Sequence, residues 1–137
     1  VDAYAGVGLF AVTVAPPTSK VITVETSRAA VDDCRHNLTG RDALVERLEV
    51  STWRPPDDVV VDVAIADPAR SGLGRPGTAA MVATKAAVLV LVSCDPVALA
   101  RDAELLGRHG YRHAGTEVLD LFPHTHHVEC VTRFVRD

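Results

Sequence analysis

The chain has 137 residues, a formal net charge of −4, 47% hydrophobic and 23% charged residues, and three cysteines. That length suits one domain, its apolar content excludes a disordered chain, and its longest uncharged apolar stretch, Ala86 to Cys94, is far short of the ~18–20 residues a bilayer requires. With no basic leader ahead of the fold and no cysteine framework, the reading is a reduced, cytoplasmic α/β domain, too acidic to grip nucleic acid unaided.

Apolar runs suited to buried strands alternate with amphipathic stretches, the pattern of a parallel sheet covered by helices. A first strand is expected at Val1 to Tyr4, then a glycine turn and an apolar helix that Pro16-Pro17 must end. Lys20 to Glu25 reads as the second strand. A helix capped by Thr26 or Ser27 follows, with Ala30, Val31, Cys34 and Leu38 on one face, closing at Gly40. Leu48 to Ser51 suits a short third strand and Val59 to Ala66 a fourth, buried on both faces. A glycine-rich loop then leads to a short helix near Ala79 to Lys85. Ala86 to Ser93 is the most apolar strand. Asp95 and Pro96 fit the N-cap and first turn of a helix that buries Leu99, Ala103 and Leu106 and stops at Gly107 and Gly110. Tyr111 to Leu121 and His126 to Val135 finish the chain as extended segments. The single residue before Asp2 makes the first strand short, so the chain reads as cut from a longer protein.

Two places carry chemistry. Asp2 to Gly8 is a strand running into a glycine turn and a helix, where Gly6 and Gly8 let a ligand lie against the backbone. Glu25 ends the neighbouring strand seventeen residues after Gly8, placed to accept the hydroxyls of a ribose. Gly6-Val7-Gly8-Leu9-Phe10-Ala11 also satisfies the dinucleotide fingerprint, so this motif alone admits S-adenosylmethionine or NAD, or a turn that only packs strand on helix. The second place is the carboxyl edge of the fourth and fifth strands, where Asp67-Pro68-Ala69-Arg70 and Ser93-Cys94-Asp95-Pro96 fall. Cys94 stands there before a helix N-terminus, which favours a nucleophilic thiolate, with Asp95 opposing; its bland reading is an inert thiol on an apolar strand. Cys34 reads as a core residue. Near the C-terminus, His124, His126 and His127 invite a metal, but no ligand set with structural-zinc spacing accompanies them, so none is expected. Glu129 is either a solvated strand-end acid or a partly desolvated base.

Together these segments resemble the RNA 5-methyluridine methyltransferase family, whose members use S-adenosylmethionine to methylate carbon 5 of uridine in tRNA or rRNA. Leu119-Asp120-Leu121-Phe122-Pro123-His124-Thr125-His126-His127-Val128-Glu129 matches that family's C-terminal motif, Ser93-Cys94-Asp95-Pro96 its nucleophile motif, and Asp67-Pro68-Ala69-Arg70-Ser71-Gly72 its acidic loop. The chain departs from the family where Ala69 replaces Pro, Asp95 replaces Asn and Ala5 replaces Cys. The resemblance implies a Rossmann-like class I methyltransferase sheet with an antiparallel last strand, spanning residues 1–137. It implies Cys94 as nucleophile, Glu129 as base, and Tyr4, Gly6, Gly8, Glu25 and Asp67 around S-adenosylmethionine. It also implies an RNA substrate gripped mainly by elements upstream. The other classes to weigh are a methyltransferase of small molecules or proteins without a covalent step, and an NAD-binding module.

Overall fold

The computed structural model describes residues 1–121, 123–125 and 127–136; Phe122, His126 and Asp137 lie outside the described residues. Its elements are β1 (Asp2–Ala3), α1 (Leu9–Thr13), β2 (Val21–Glu25), α2 (Arg28–Asn37), β3 (Ala43–Arg47), β4 (Val63–Ala66), α3 (Gly74–Ala83), β5 (Val88–Ser93), α4 (Pro96–Arg108), β6 (Tyr111–Leu119) and β7 (Glu129–Arg136). They form one seven-stranded sheet in the order β3-β2-β1-β4-β5-β7-β6. Strands β1 to β5 run parallel, and β7 inserts antiparallel between β5 and β6. Strand order reverses beside β1, which pairs with both β2 and β4, so the ligand crevice of such a sheet opens at the carboxyl ends of β1 and β4.

Side-chain alternation divides the core between the two faces. Ile22 and Val24 of β2 join Ala64, Ala66, Leu89 and Leu91 under Met81 of α3 and Leu106 of α4, while Val21 joins Ala11 of α1 with Cys34 and Leu38 of α2. Fully buried Trp53 and Phe134 extend the larger cluster, each large side chain contributing roughly 1.5–3 kcal/mol. The two large polar rings of the core are partnered: Tyr111 donates to the Ala86 carbonyl at 2.9 Å and Trp53 Nε1 to Glu46 at 3.0 Å. No helix among the described residues is long and apolar enough to cross a membrane.

The expected elements occur except the strand at Leu48 to Ser51, and the main departures are these. The third strand is Ala43–Arg47 rather than Leu48 to Ser51; it is an edge strand, so its alternate residues face solvent and its apolar signal is thin, whereas Val50 folds back into the core from a turn. The fourth strand begins only at Val63, because Asp2 of β1 pairs with Ile65 and residues 59–62 have no β1 residue beside them. Helix α3 starts five residues early, at Gly74, with Pro76 tolerated in its first turn. Gly107 lies inside the last turn of α4 rather than ending it. At the amino edge of the sheet, Phe10, Val14, Val21, Val59, Val60 and Ile65 line a groove of about 460 Å³, remote from every candidate site residue.

Candidate active site

The carboxyl ends of β1, β2, β4 and β5 lie on one edge of the sheet, and antiparallel β7 brings its amino end to the same edge. Five candidate segments therefore share one rim. On the β1–β2 half, the Glu25 carboxylate is tightly held. Its Oε2 accepts the Gly6 N–H at 3.0 Å, and its Oε1 accepts the Thr26 and Ser27 amides at 2.7 and 2.8 Å and the Thr26 hydroxyl at 3.2 Å. Burial works to raise its pKa, but the Ser27, Gly6 and Thr26 donors outweigh it and hold the group below its ordinary value.

The two glycines have different reasons for being glycine. At Gly6 (φ +53°) an added Cβ would meet nothing within 4 Å and would project into open space beside the turn, where it would crowd a ligand. At Gly8 (φ +85°) it would come within 2.8 Å of Cys34 Sγ, so Gly8 serves the close packing of the turn on α2. Of the two, Gly8 is fixed by helix packing and Gly6 leaves open space beside the turn. Cys34 is fully buried, as a core residue should be. Tyr4 is a half-buried residue at φ +61°, a conformation L side chains adopt rarely, and its hydroxyl lies where a Cβ on Gly77 of α3 would be only 2.8 Å away.

Helix α1 has a glycine N-cap and no side-chain cap of its own. Asp2, buried in β1, supplies one from outside: its Oδ2 accepts the Ala11 N–H at 3.0 Å while Oδ1 has no partner. Burial, only partly offset by the Ala11 donor, pushes its pKa up to about 6. The sequence signal for this role was available, a lone acid at the first strand's entry, but nothing in spacing says that it faces the helix.

The other half of the rim is built by strand register. Val92 pairs with Val131 and Ser93 with Cys130, the last pair of the β5–β7 ladder, so Cys94 leaves β5 and Glu129 enters β7 at the same end of that ladder. Cys94 is half-buried and a free thiol. Asp95 caps α4, accepting the Val97 and Ala98 amides at 2.9 and 2.8 Å, so this acid does the capping work for which Asn is also suited. Asp67, one residue beyond the Ala66–Leu91 pair, opens to solvent, yet the protein behind its carboxyl pushes its pKa up. Glu129 is raised by burial first and by the negative charge of Asp67 second, which brings these two carboxyls into one electrostatic neighbourhood. Asp67 and Glu129 thus lean toward the protonated form while Glu25 is held ionised.

Among the described residues no group of three His, Cys, Asp or Glu side chains could hold a metal; His126, part of the histidine-rich segment, lies outside them. A buried acid that sequence reading passed over is Asp102 of α4. It lies on the Ala98, Asp102, Leu106 stripe of the helix, an i, i+4, i+8 spacing that could have marked it.

No family model matches the chain. It is 38% identical over 135 residues to an RNA methyltransferase of Streptomyces avermitilis, covering 95% of this chain and 31% of that protein. It is 35% identical over 144 residues to an RNA methyltransferase of Streptococcus pyogenes, covering all of this chain and 31% of that one. The solved tRNA (uracil-54, C5)-methyltransferase of Pyrococcus abyssi, in complex with S-adenosyl-L-homocysteine, superposes with a TM-score of 0.83 at 33% identity, covering 98% of this chain and 33% of that one. A magnesium protoporphyrin IX methyltransferase of Synechocystis, at 15% identity and a TM-score of 0.71, shares the fold alone. The chain spans about a third of the length of the RNA methyltransferases it matches.

Proposed function

We propose that this chain, which is similar to RNA methyltransferases over nearly its whole length and folds as a class I methyltransferase sheet, is the catalytic domain, residues 1–137, of a longer enzyme that transfers methyl from S-adenosylmethionine to carbon 5 of a uridine in RNA. The observation that carries the reading is the end of the β5–β7 ladder, where the Ser93–Cys130 pair brings the neighbouring Cys94 and Glu129 to one rim and Glu129 feels the charge of Asp67.

The β1–β2 half suits the cofactor. Glu25 sits at the strand end where it can meet ribose hydroxyls, the open space at Gly6 leaves room for a ligand against the backbone, and Tyr4 and Asp67 flank the same crevice. NAD fits less well. A dinucleotide would set its pyrophosphate at the N-terminus of α1, but that helix has only five residues and its Ala11 amide already faces the Asp2 carboxyl. Bound in the crevice, S-adenosylmethionine would supply an electrophilic methyl group.

Carbon 5 of uracil is a poor nucleophile, which gives Cys94 its task. Its thiolate forms a bond to carbon 6, and the C5–C6 π electrons move into an enolate that makes carbon 5 reactive toward the methyl group. After transfer, carbon 5 carries both methyl and hydrogen. Glu129 takes that proton, the double bond reforms, and the C6–S bond breaks to return the thiolate of Cys94. A base with a raised pKa is better matched to such a proton near neutral pH than an ordinary glutamate. A cysteine with a separate carboxylate suits this sequence of bonds; acyl transfer would require a base bonded to the thiol.

The acidic balance, −4 overall, and the relatives' greater length support a division of labour in which RNA is gripped mainly outside this chain. The test is to incubate the full-length protein with methyl-labelled S-adenosylmethionine and RNA, then digest to nucleosides. Label in 5-methyluridine is expected; label confined to protein, a small molecule or another nucleoside position refutes the proposal.

A further inference from the structure

We infer that Arg101 and Asp102 of α4 are a positioning pair that sets the 67–74 loop against the helix following Cys94, an inference that rests on the methyl-transfer reading. The loop leaves β4 at Asp67 and ends in α3, and its far end is fastened to α4 at three points. Asp102 Oδ2 accepts the Leu73 N–H at 2.6 Å and Oδ1 the Gly74 N–H at 3.1 Å. Arg101 Nη2 donates to the Ser71 carbonyl at 2.6 Å and to Asp102 Oδ1 at 2.8 Å, and Arg101 Nε adds a second bond to that oxygen at 3.1 Å. Asp102 is fully buried, so its charge needs those donors; Arg101 is half exposed.

The loop is shaped to receive the pair. Gly72 (φ +73°) lies so close that a Cβ there would be 2.3 Å from Asp102 Oδ2 and 2.8 Å from Arg101 Nη2. The Gly72 N–H closes a turn on the Ala69 carbonyl at 2.7 Å, which carries the constraint back toward Asp67. At its other end α4 is capped by Asp95, the residue after Cys94. One rigid helix therefore fixes both the loop that bears Asp67 and Arg70 and the residue next to the thiol. Misplacing a reacting group by about 1 Å can cost ~10²-fold in rate, so a brace of this kind acts on catalysis without touching substrate.

Three full-length variants test it, Arg101→Met, Arg101→Lys and Asp102→Asn. Arg101→Met keeps the aliphatic stem and loses every donor. Its single-turnover methyl transfer, read well below its melting temperature, should fall about 10-fold or more while affinity for S-adenosylmethionine changes less than about 3-fold; loss of the counterion of buried Asp102 should lower the melting temperature. Arg101→Lys should recover part of the rate, and the amides of Leu73 and Gly74 should exchange faster in Arg101→Met and Asp102→Asn. Wild-type rates and unchanged exchange in Arg101→Met overturn the inference, whether or not Asp102→Asn folds. A wild-type protein that transfers no methyl to uridine sinks the functional reading instead, and the exchange of Leu73 and Gly74 then still decides whether the brace exists.

Discussion

Glu25 and Glu129 are the same side chain at the same edge of one sheet, and the surrounding structure pulls them in opposite directions. Glu25 is wrapped by backbone amides that hold it ionised and fixed, whereas Glu129 is pushed toward protonation by burial and by Asp67. The β1–β2 half thus holds its acid with preorganised backbone donors. The β4–β5–β7 half gathers two carboxyls whose pKa values are raised and, at the end of the same ladder, the Cys94 thiol. Two glutamates read alike as strand-end acids diverge because one meets a loop of backbone N–H groups and the other is partly buried beside a second carboxyl.

The largest effect that sharpens this contrast should come from Cys94→Ala, which is expected to remove methyl transfer by at least ~10³-fold with cofactor binding unchanged by calorimetry. Glu129→Gln should cut turnover by about 10²-fold but leave bond formation at Cys94 intact, so that RNA–protein adducts accumulate on ordinary uridine RNA in denaturing gels. Because Glu129 acts as the carboxylate and its pKa is raised, wild-type turnover should fall on acidification at a higher pH than an unperturbed glutamate would give. Glu25→Gln should do the reverse of Glu129→Gln, weakening cofactor affinity several-fold with little change in the saturated rate. A Glu25→Gln enzyme that binds normally and stalls as adduct would erase the distinction between the halves.

Smaller effects test the scaffold. Gly8→Ala should cost about 1–3 kcal/mol in urea unfolding, eased by adding Cys34→Ala, whereas Gly6→Ala should cost less stability and more cofactor affinity. Asp2 gives a pH signature. Its folded pKa of about 6 lies above the ordinary 3.8, so its contribution is favourable below about pH 4 and is lost as pH rises through 6. Wild type should therefore lose on the order of 2–3 kcal/mol across that window, and Asp2→Asn should show a flatter profile.

Much of this arrangement was legible in the residues. The glycine turn, the apolar strand ending in Cys94, and the Asp95-Pro96 helix start each declare themselves locally, and each lies where expected. Strand β3 did not, because at the sheet edge Ala43-Leu44-Val45 passes at once into Glu46 and Arg47, while Leu48-Glu49-Val50 beyond it alternates as a strand would. The roles of Gly8, Asp2 and Asp102 were hidden for a different reason: each depends on what another element brings against it, Cys34 from α2, the Ala11 amide from α1, and the 71–74 backbone from the loop before α3. The approach of Cys94 and Glu129 to one end of the β5–β7 ladder is likewise a property of register, which the thirty-four residues between them do not spell out.

The most direct measurement is capture of the covalent step with the full-length protein, S-adenosylmethionine and RNA carrying 5-fluorouridine, whose fluorine cannot leave as a proton to any base. Peptide mapping by mass spectrometry should find the methylated pyrimidine joined to the sulfur of Cys94, in Glu129→Gln as well as in wild type. Methylation of ordinary uridine with no such adduct, or an adduct on Cys34 or Cys130, would contradict the account.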